Sequence, residues 1–160
     1  MSGIVMMGFP ALSPFTLGDT GNDVGGSGAG TGNNILNYGG VVATTAKAVG
    51  VRAANQWSLN ISNNIINNNN GSGVNHTNEL RGIWGQSGTS ASVTINNNSV
   101  TVNSNAVGAL VCSGIENAIG STPSGNTVSI SNNSVTGSYT TATTGSMTGI
   151  LNAASAANIN

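Results

Sequence analysis

The chain has 160 residues, enough for one domain, yet only 4% of them are charged, where an ordinary globular domain carries about a quarter. A net charge of −1 and only three basic residues, Lys47, Arg52 and Arg81, exclude a phosphate-neutralising track for nucleic acid and a polybasic membrane patch. The longest apolar stretch, Ile4–Leu12, is broken by Gly8 and Pro10; it is too short to span a bilayer and lacks the basic start of a secretory signal.

Taken in chain order, residues 1–31 read as a cap or lead-in. Met1–Leu17 is apolar with Pro10 and Pro14, and Gly18–Gly32 is almost entirely Gly, Asp, Asn, Ser and Thr. Residues 32–160 repeat. A faint first copy is Gly32-Asn33-Asn34-Ile35-Leu36. Three stronger copies follow, beginning Leu59-Asn60-Ile61, Val93-Thr94-Ile95 and Val128-Ser129-Ile130. All three continue into an Asn pair and end on an apolar residue: apolar-x-Ile-x-Asn-Asn-x-apolar. Ile61, Ile95 and Ile130 are spaced by 34 and then 35 residues. A fifth copy starts at Ala157-Asn158-Ile159-Asn160, with Ile159 aligned on Ile130 and the Asn-Asn turn expected to follow. A second motif alternates with the first: Val49-Gly50-Val51-Arg52, Arg81-Gly82-Ile83-Trp84, Val107-Gly108-Ala109-Leu110 and Thr148-Gly149-Ile150-Leu151. Short apolar alternation bounded by Gly, Asn and Ser predicts strands, and no helical period competes with it.

Four-residue strands cannot bury a face alone, so the repeat predicts stacking of each unit on the last. Residues at i and i+2 then form columns. Leu59, Val93 and Val128 make one, Ile61, Ile95 and Ile130 a second, and Ile66, Val100 and Val135 a third. The Asn pair falls at a turn, where Asn tolerates left-handed backbone. Stacked amides donate and accept along the axis, so Asn63, Asn97 and Asn132 are expected to form a ladder with Asn33 below. The fold class is therefore all-β, a right-handed parallel β-helix of about four to five coils of roughly 30–35 residues.

The Asn-Asn turn after apolar-x-Ile, with the Gly-Ile strand alternating, resembles the parallel β-helix repeat family of pectate-lyase-like proteins, over about residues 32–160. Within it, the chain is similar to Asn-, Ser- and Thr-rich repetitive bacterial cell-surface proteins of the Bacteroidetes type. The resemblance implies an extracellular or cell-surface location.

Enzymes on this scaffold need paired carboxylates. The acids are Asp19, Asp23, Glu79 and Glu116, none in the strand motifs, so no catalytic site and no cofactor are expected. Asp19, Asn22 and Asp23 in a Gly loop are the one weak calcium candidate, weighed against a plain polar turn. His76 is expected in a solvated polar loop, where Asn75-His76-Thr77 also matches a glycosylation acceptor. Cys112 reads as a small buried hydrophobe, and its place as sole cysteine excludes an internal disulfide. If Val51, Ile83, Ala109 and Ile150 point inward, Arg52, Trp84, Leu110 and Leu151 form an outward contact strip. Ice binding is disfavoured because Asn60, Thr94 and Ser129 do not make a Thr row. The expected role is structural: a segment of a surface filament, stalk or adhesin whose partner is itself, end to end or through further repeats. Met1–Leu17 is the expected donated piece. A glycan-binding module is the alternative, and a polysaccharide lyase or hydrolase the weakest reading.

Overall fold

The computed structural model describes residues 1–9, 19–39, 46–71, 76–88, 91–120, 126–141, 144–154 and 158–159. Its strands, in chain order, are β1 (Ser2–Met7), β2 (Asp19–Thr20), β3 (Asp23–Val24), β4 (Asn34–Leu36), β5 (Ala48–Ala54), β6 (Gln56–Trp57), β7 (Leu59–Ser62) and β8 (Ile65–Asn67). They continue as β9 (Leu80–Ser87), β10 (Val93–Asn96), β11 (Ser99–Ser104), β12 (Cys112–Asn117), β13 (Thr127–Ser131), β14 (Ser134–Tyr139), β15 (Met147–Asn152) and β16 (Asn158–Ile159).

Every strand pair is parallel. The first sheet runs β1-β5-β9-β12-β15, the second β16-β13-β10-β7-β3, the third β14-β11-β8-β4, and β2 pairs with β6. The protein is a β-solenoid of about three turns, with a sparser coil on either side, rather than four to five full coils. The short strands β3 and β4 make the first coil sparse.

The core is the set of columns inside the stack. Val93 faces Leu59 and Val128, and Ile95 faces Ile61 and Ile130. Val100 faces Ile66 and Val135. Val24 and Ile35 extend the second and third columns downward by pairing with Ile61 and Ile66. Ile159 pairs with Val128, not with the row of Ile130. Ile115 and Gly137 lie within β12 and β14.

The glycine of the second motif has a packing reason. A Cβ on Gly3 would fall 2.4 Å from Ile35 Cγ2, on Gly50 2.5 Å from Ile66 Cγ2, on Gly82 2.2 Å from Val100 Cγ1 and on Gly114 2.2 Å from Val135 Cγ1. The first sheet thus carries a glycine column into which the β-branched column of the third sheet fits. This is close packing, felt to within one methylene.

The amide ladder is present but displaced by one residue. Asn63, Asn97 and Asn132 are the left-handed turn residues, at φ of 62°, 54° and 53°. Their side chains do not stack on one another: Asn63 Nδ2 donates to Gly26 O and Asn132 Nδ2 to Asn96 Oδ1, while Asn97 is exposed. The second Asn of each pair turns inward instead. Asn64 Nδ2 donates to Asn98 Oδ1 at 2.9 Å and Asn98 Nδ2 to Asn133 Oδ1 at 2.9 Å. Asn33 joins below, its Nδ2 donating to Asn64 Oδ1 at 3.0 Å. The physical division is simple. The residue that takes positive φ turns the chain and points out, so the next one carries the buried amide.

Where they are described, residues 1–31 join the stack. Ile4 pairs with Val51 and Val5 with Arg52, so β1 is the first strand of the first sheet. Ser2–Met7 pairs with β5 of its own chain along one edge and is the edge strand of that sheet. Pro10, Pro14 and Leu17 lie outside the described residues.

Candidate functional site

The outer face of the first sheet gathers most of the charge in a charge-poor chain. Its rows are Ser2, Val49, Arg81, Ser113, Thr148 and Val5, Arg52, Trp84, Glu116, Leu151. The strand that follows Arg81–Trp84 in this register is therefore Ser113-Gly114-Ile115-Glu116, not Val107–Leu110. Leu110 leaves the expected strip: it sits in a turn, its N–H donating to Gly108 O. Apolar-Gly-apolar alone misled here. Even spacing was the better signal, since Gly50, Gly82 and Gly114 are regularly spaced and Gly108 is not. Ala109 correspondingly faces solvent instead of the core.

All three cations and two of the four acids meet on this face. Arg81 is buried, 6% exposed. Its Nε donates to Glu116 Oε2 at 2.7 Å and its Nη1 to Glu79 Oε2 at 2.9 Å. Lys47 Nζ lies 3.0 Å from the same Glu79 oxygen. Ser113 Oγ donates to Glu116 Oε2 at 3.2 Å. Trp84 packs under both arginines, with Arg52 Cζ 5.1 Å and Arg81 Cζ 4.4 Å from its ring centre. Arg52 is steered by Gln86, whose Oε1 accepts from its Nε and Nη2. The result is an ion-pair clasp across three successive coils, closed over an indole by cation–π contact.

The electrostatics follow from this packing. Burial pushes the Glu79 carboxyl upward, but hydrogen bonds from Arg81 and Lys47 outweigh it and hold the group below its usual range. Burial lowers and the two glutamates raise Arg81, with the glutamates prevailing. Glu79 and Glu116, both outside the strand motifs of the sequence, are thus joined on one guanidinium, and Glu116 lies within β12. The carboxylates serve as acceptors for Arg81, and Glu79 is kept ionised. The clasp was legible only in part: Arg52 and Trp84 are in the strip, but Arg81 and Glu116 become neighbours only once coils stack.

The other candidates lie apart from this clasp. Asp19 Oδ2 accepts from Gln56 Nε2 at 2.7 Å, and Gln56 Oε1 accepts from Asn22 Nδ2 at 2.6 Å. Asp23 Oδ1 accepts from Gly26 N–H and from Asn60 Nδ2. Their donors are amides of this chain, and among the described residues no group of three His, Cys, Asp or Glu is placed to hold a metal ion. His76 is fully buried instead of solvated, with its carbonyl accepting from Asn105 N–H at 2.9 Å. Asn75 of the sequon lies outside the described residues. Cys112 is buried in the row of Leu80 and Met147, and burial pushes its thiol up to about 11 against the opposing charge of Arg81. Tyr38 is buried beneath Gly50 and its phenol is raised, chiefly by burial. Among the described residues, no helix is long and apolar enough to cross a membrane.

No protein-family model, curated protein or solved structure matches this chain.

Proposed function

We propose that this chain is a structural segment of an extracellular bacterial filament, stalk or adhesin, whose solenoid coils either continue into further repeats or stack end to end on another copy. The carrying observation is the state of the last first-sheet strand. Ile150 continues the row of Val51, Ile83 and Ile115, which are fully buried, yet is 49% exposed, and Leu151 beside it is 44% exposed. Such a sheet edge is a template for further backbone pairing, and soluble proteins cover it. Two further features support this reading. Most of the charge is taken up by the clasp, and Asn, Ser and Thr make up a large share of the exposed residues among those described. That texture also supports the resemblance to Bacteroidetes-type surface repeats. The coil that covers this edge is then a further repeat of the same chain or a second copy of it, and the location is the cell surface. Head-to-tail contacts of this kind do not close, so they grow filaments.

Light scattering and negative-stain electron microscopy across a concentration series test the proposal. Rods that lengthen with concentration support it. A monomer at every concentration, with β15 amides protected from exchange, sinks it.

A second reading, a glycan-binding module, has one observation in its favour: the half-buried Trp84 on the sheet face among polar and charged groups. A glycan array on the wild type and Trp84→Ala decides it, and signals indifferent to the substitution remove it. Catalysis remains the weakest reading, since Glu79 is held ionised as an acceptor for Arg81.

A further inference from the structure

The asparagines of this chain differ in whether the side-chain carboxamide and the backbone nitrogen of the next residue are free to meet. That nitrogen is the nucleophile that can close a five-membered ring on Cγ. In the ladder both ends are tied. Asn64 and Asn98 hold their carboxamides between neighbouring coils, and Asn133 Nδ2 donates to Ile95 O at 2.9 Å. The nitrogens that follow are tied as well: Ile65 N–H donates to Asn33 O, Ser99 N–H to Asn64 O and Ser134 N–H to Asn98 O. The turn residues Asn63 and Asn97 are followed by Asn64 and Asn98, whose N–H groups donate to Asn98 Oδ1 and Asn133 Oδ1 at 3.0 Å. Even Asn97, exposed to solvent, therefore has no loose nucleophile beside it.

Asn70 is the opposite case. It is exposed, in the loop that follows β8, and its own N–H is anchored to Asn37 Oδ1 at 2.7 Å. Among the described residues, neither its carboxamide nor the N–H of Gly71 makes a hydrogen bond. Gly71 is exposed at a φ of 76°, and nothing described lies within 4 Å of where a Cβ would be. Glycine leaves its nitrogen unscreened by a side chain and its backbone free to turn. Asn70-Gly71 is also the sole Asn-Gly pair in an asparagine-rich chain.

We propose that Asn70 is a site of spontaneous self-modification, which deamidates through a succinimide while the ladder asparagines are protected by the fold. The Gly71 nitrogen gives its proton to water or hydroxide and attacks Asn70 Cγ, forming a C–N bond. The Cγ–Nδ2 bond breaks, and Nδ2 takes a proton from solvent and leaves as ammonia. Water then opens the ring at either carbonyl, leaving aspartate or isoaspartate. Nothing is oxidised or reduced, and water is the sole co-reactant. The product adds a carboxylate to a chain whose net charge is −1. Isoaspartate also routes the main chain through the side-chain carbon, so the path onward from the Asn37 anchor gains a methylene. The reaction needs only the single chain, so it holds or fails independently of axial assembly.

The test incubates the folded protein in warm, mildly alkaline buffer beside the same chain unfolded in urea, followed by peptide mass spectrometry. Trypsin cuts after Arg52 and Arg81, so residues 53–81 carry Asn70 with Asn63 and Asn64, and residues 82–160 carry Asn97 and Asn98. Digestion in heavy-oxygen water marks any conversion that arises during handling, and electron-transfer fragmentation locates each site and separates aspartate from isoaspartate. In the folded protein Asn70 is expected to convert first, within about threefold of its rate in urea, while Asn98 is slowed about tenfold or more by the fold. Gly71→Ala is expected to slow conversion of Asn70 about tenfold, because a Cβ then screens the attacking nitrogen. Should that variant fail to fold, the comparison of folded and unfolded wild type decides alone. Conversion of Asn70 slowed about tenfold by folding overturns the proposal, as does Asn97 or Asn98 converting ahead of Asn70 in the folded protein.

Discussion

Ile115 and Ile150 are the same residue on the same row of the first sheet, paired directly, yet one is fully buried and the other half in solvent. Nothing in their own strands accounts for this: both follow a glycine and both precede an outward residue. The difference is the coil above. Ile115 is roofed by β15, whereas Ile150 has no roof among the described residues. In a solenoid, burial is conferred by the axial neighbour, so stability is distributed as interfaces between coils rather than held by any coil alone.

The sharpest way to break that comparison is a paired deletion. Ile95→Ala, deep in the second sheet, is expected to cost about 2–5 kcal/mol through the cavity it leaves. Ile150→Ala is expected to cost about 1 kcal/mol or less, because only part of the side chain is removed from water. Urea unfolding of both variants checks this, and equal costs would mean that coil position does not set burial. The next contrast is overpacking. Gly82→Ala places a Cβ at 2.2 Å from Val100 Cγ1, so a loss of about 1–3 kcal/mol is expected, against none for Gly149→Ala. Thermal melts of the pair are sufficient to see it.

The ladder offers a third, smaller contrast. Asn98→Ala strands the N–H groups of Asn64 and the carbonyl of Ile61, so a loss of about 1–3 kcal/mol is expected. Asn97→Gly, at positive φ and exposed, is expected to change stability by a few tenths of a kcal/mol at most. If Asn97 proves the costlier site, the inward amide is not the one that holds the turn.

The last contrast is pH. Glu79 has its carboxyl lowered in the folded state, so its contribution is present above the unfolded value of about 4.3 and is lost as pH falls through the folded value. The contribution of Glu79 is expected to be flat from about pH 7 to 5 and to fall only below about pH 4. Arg81→Met, which removes the partner, is expected to flatten that acid limb. An unchanged limb in the variant would place the acid sensitivity elsewhere.

Much of the solenoid was legible because one face of each strand repeats apolar residues at i and i+2, which fixes both strand and column. Ile61, Ile95 and Ile130 share a row for that reason. The sequence was silent wherever the answer depends on what stacks above. It could not say which Asn of a pair turns inward, because both are compatible with the turn and only the left-handed φ of the first decides. It hid β1, since Ser2-Gly3-Ile4-Val5 carries the glycine motif at a longer step from its neighbour than the others. It misplaced His76, because a polar local sequence predicts solvent while the interior packs around it. Arg81 and Glu116 are 35 residues apart, and only the register brings them to a single ion pair.

The ladder spans steps of 31, 34 and 35 residues and makes the same amide bond at each. Its reach is set by the height of one strand, not by the length of chain that returns to it. Insertions and deletions in the connecting loops therefore leave the match between neighbouring coils untouched. A gene built of such units can gain, lose or duplicate one by recombination without a frame of fixed length, and each newcomer is proofread at a single amide by the coil beneath it.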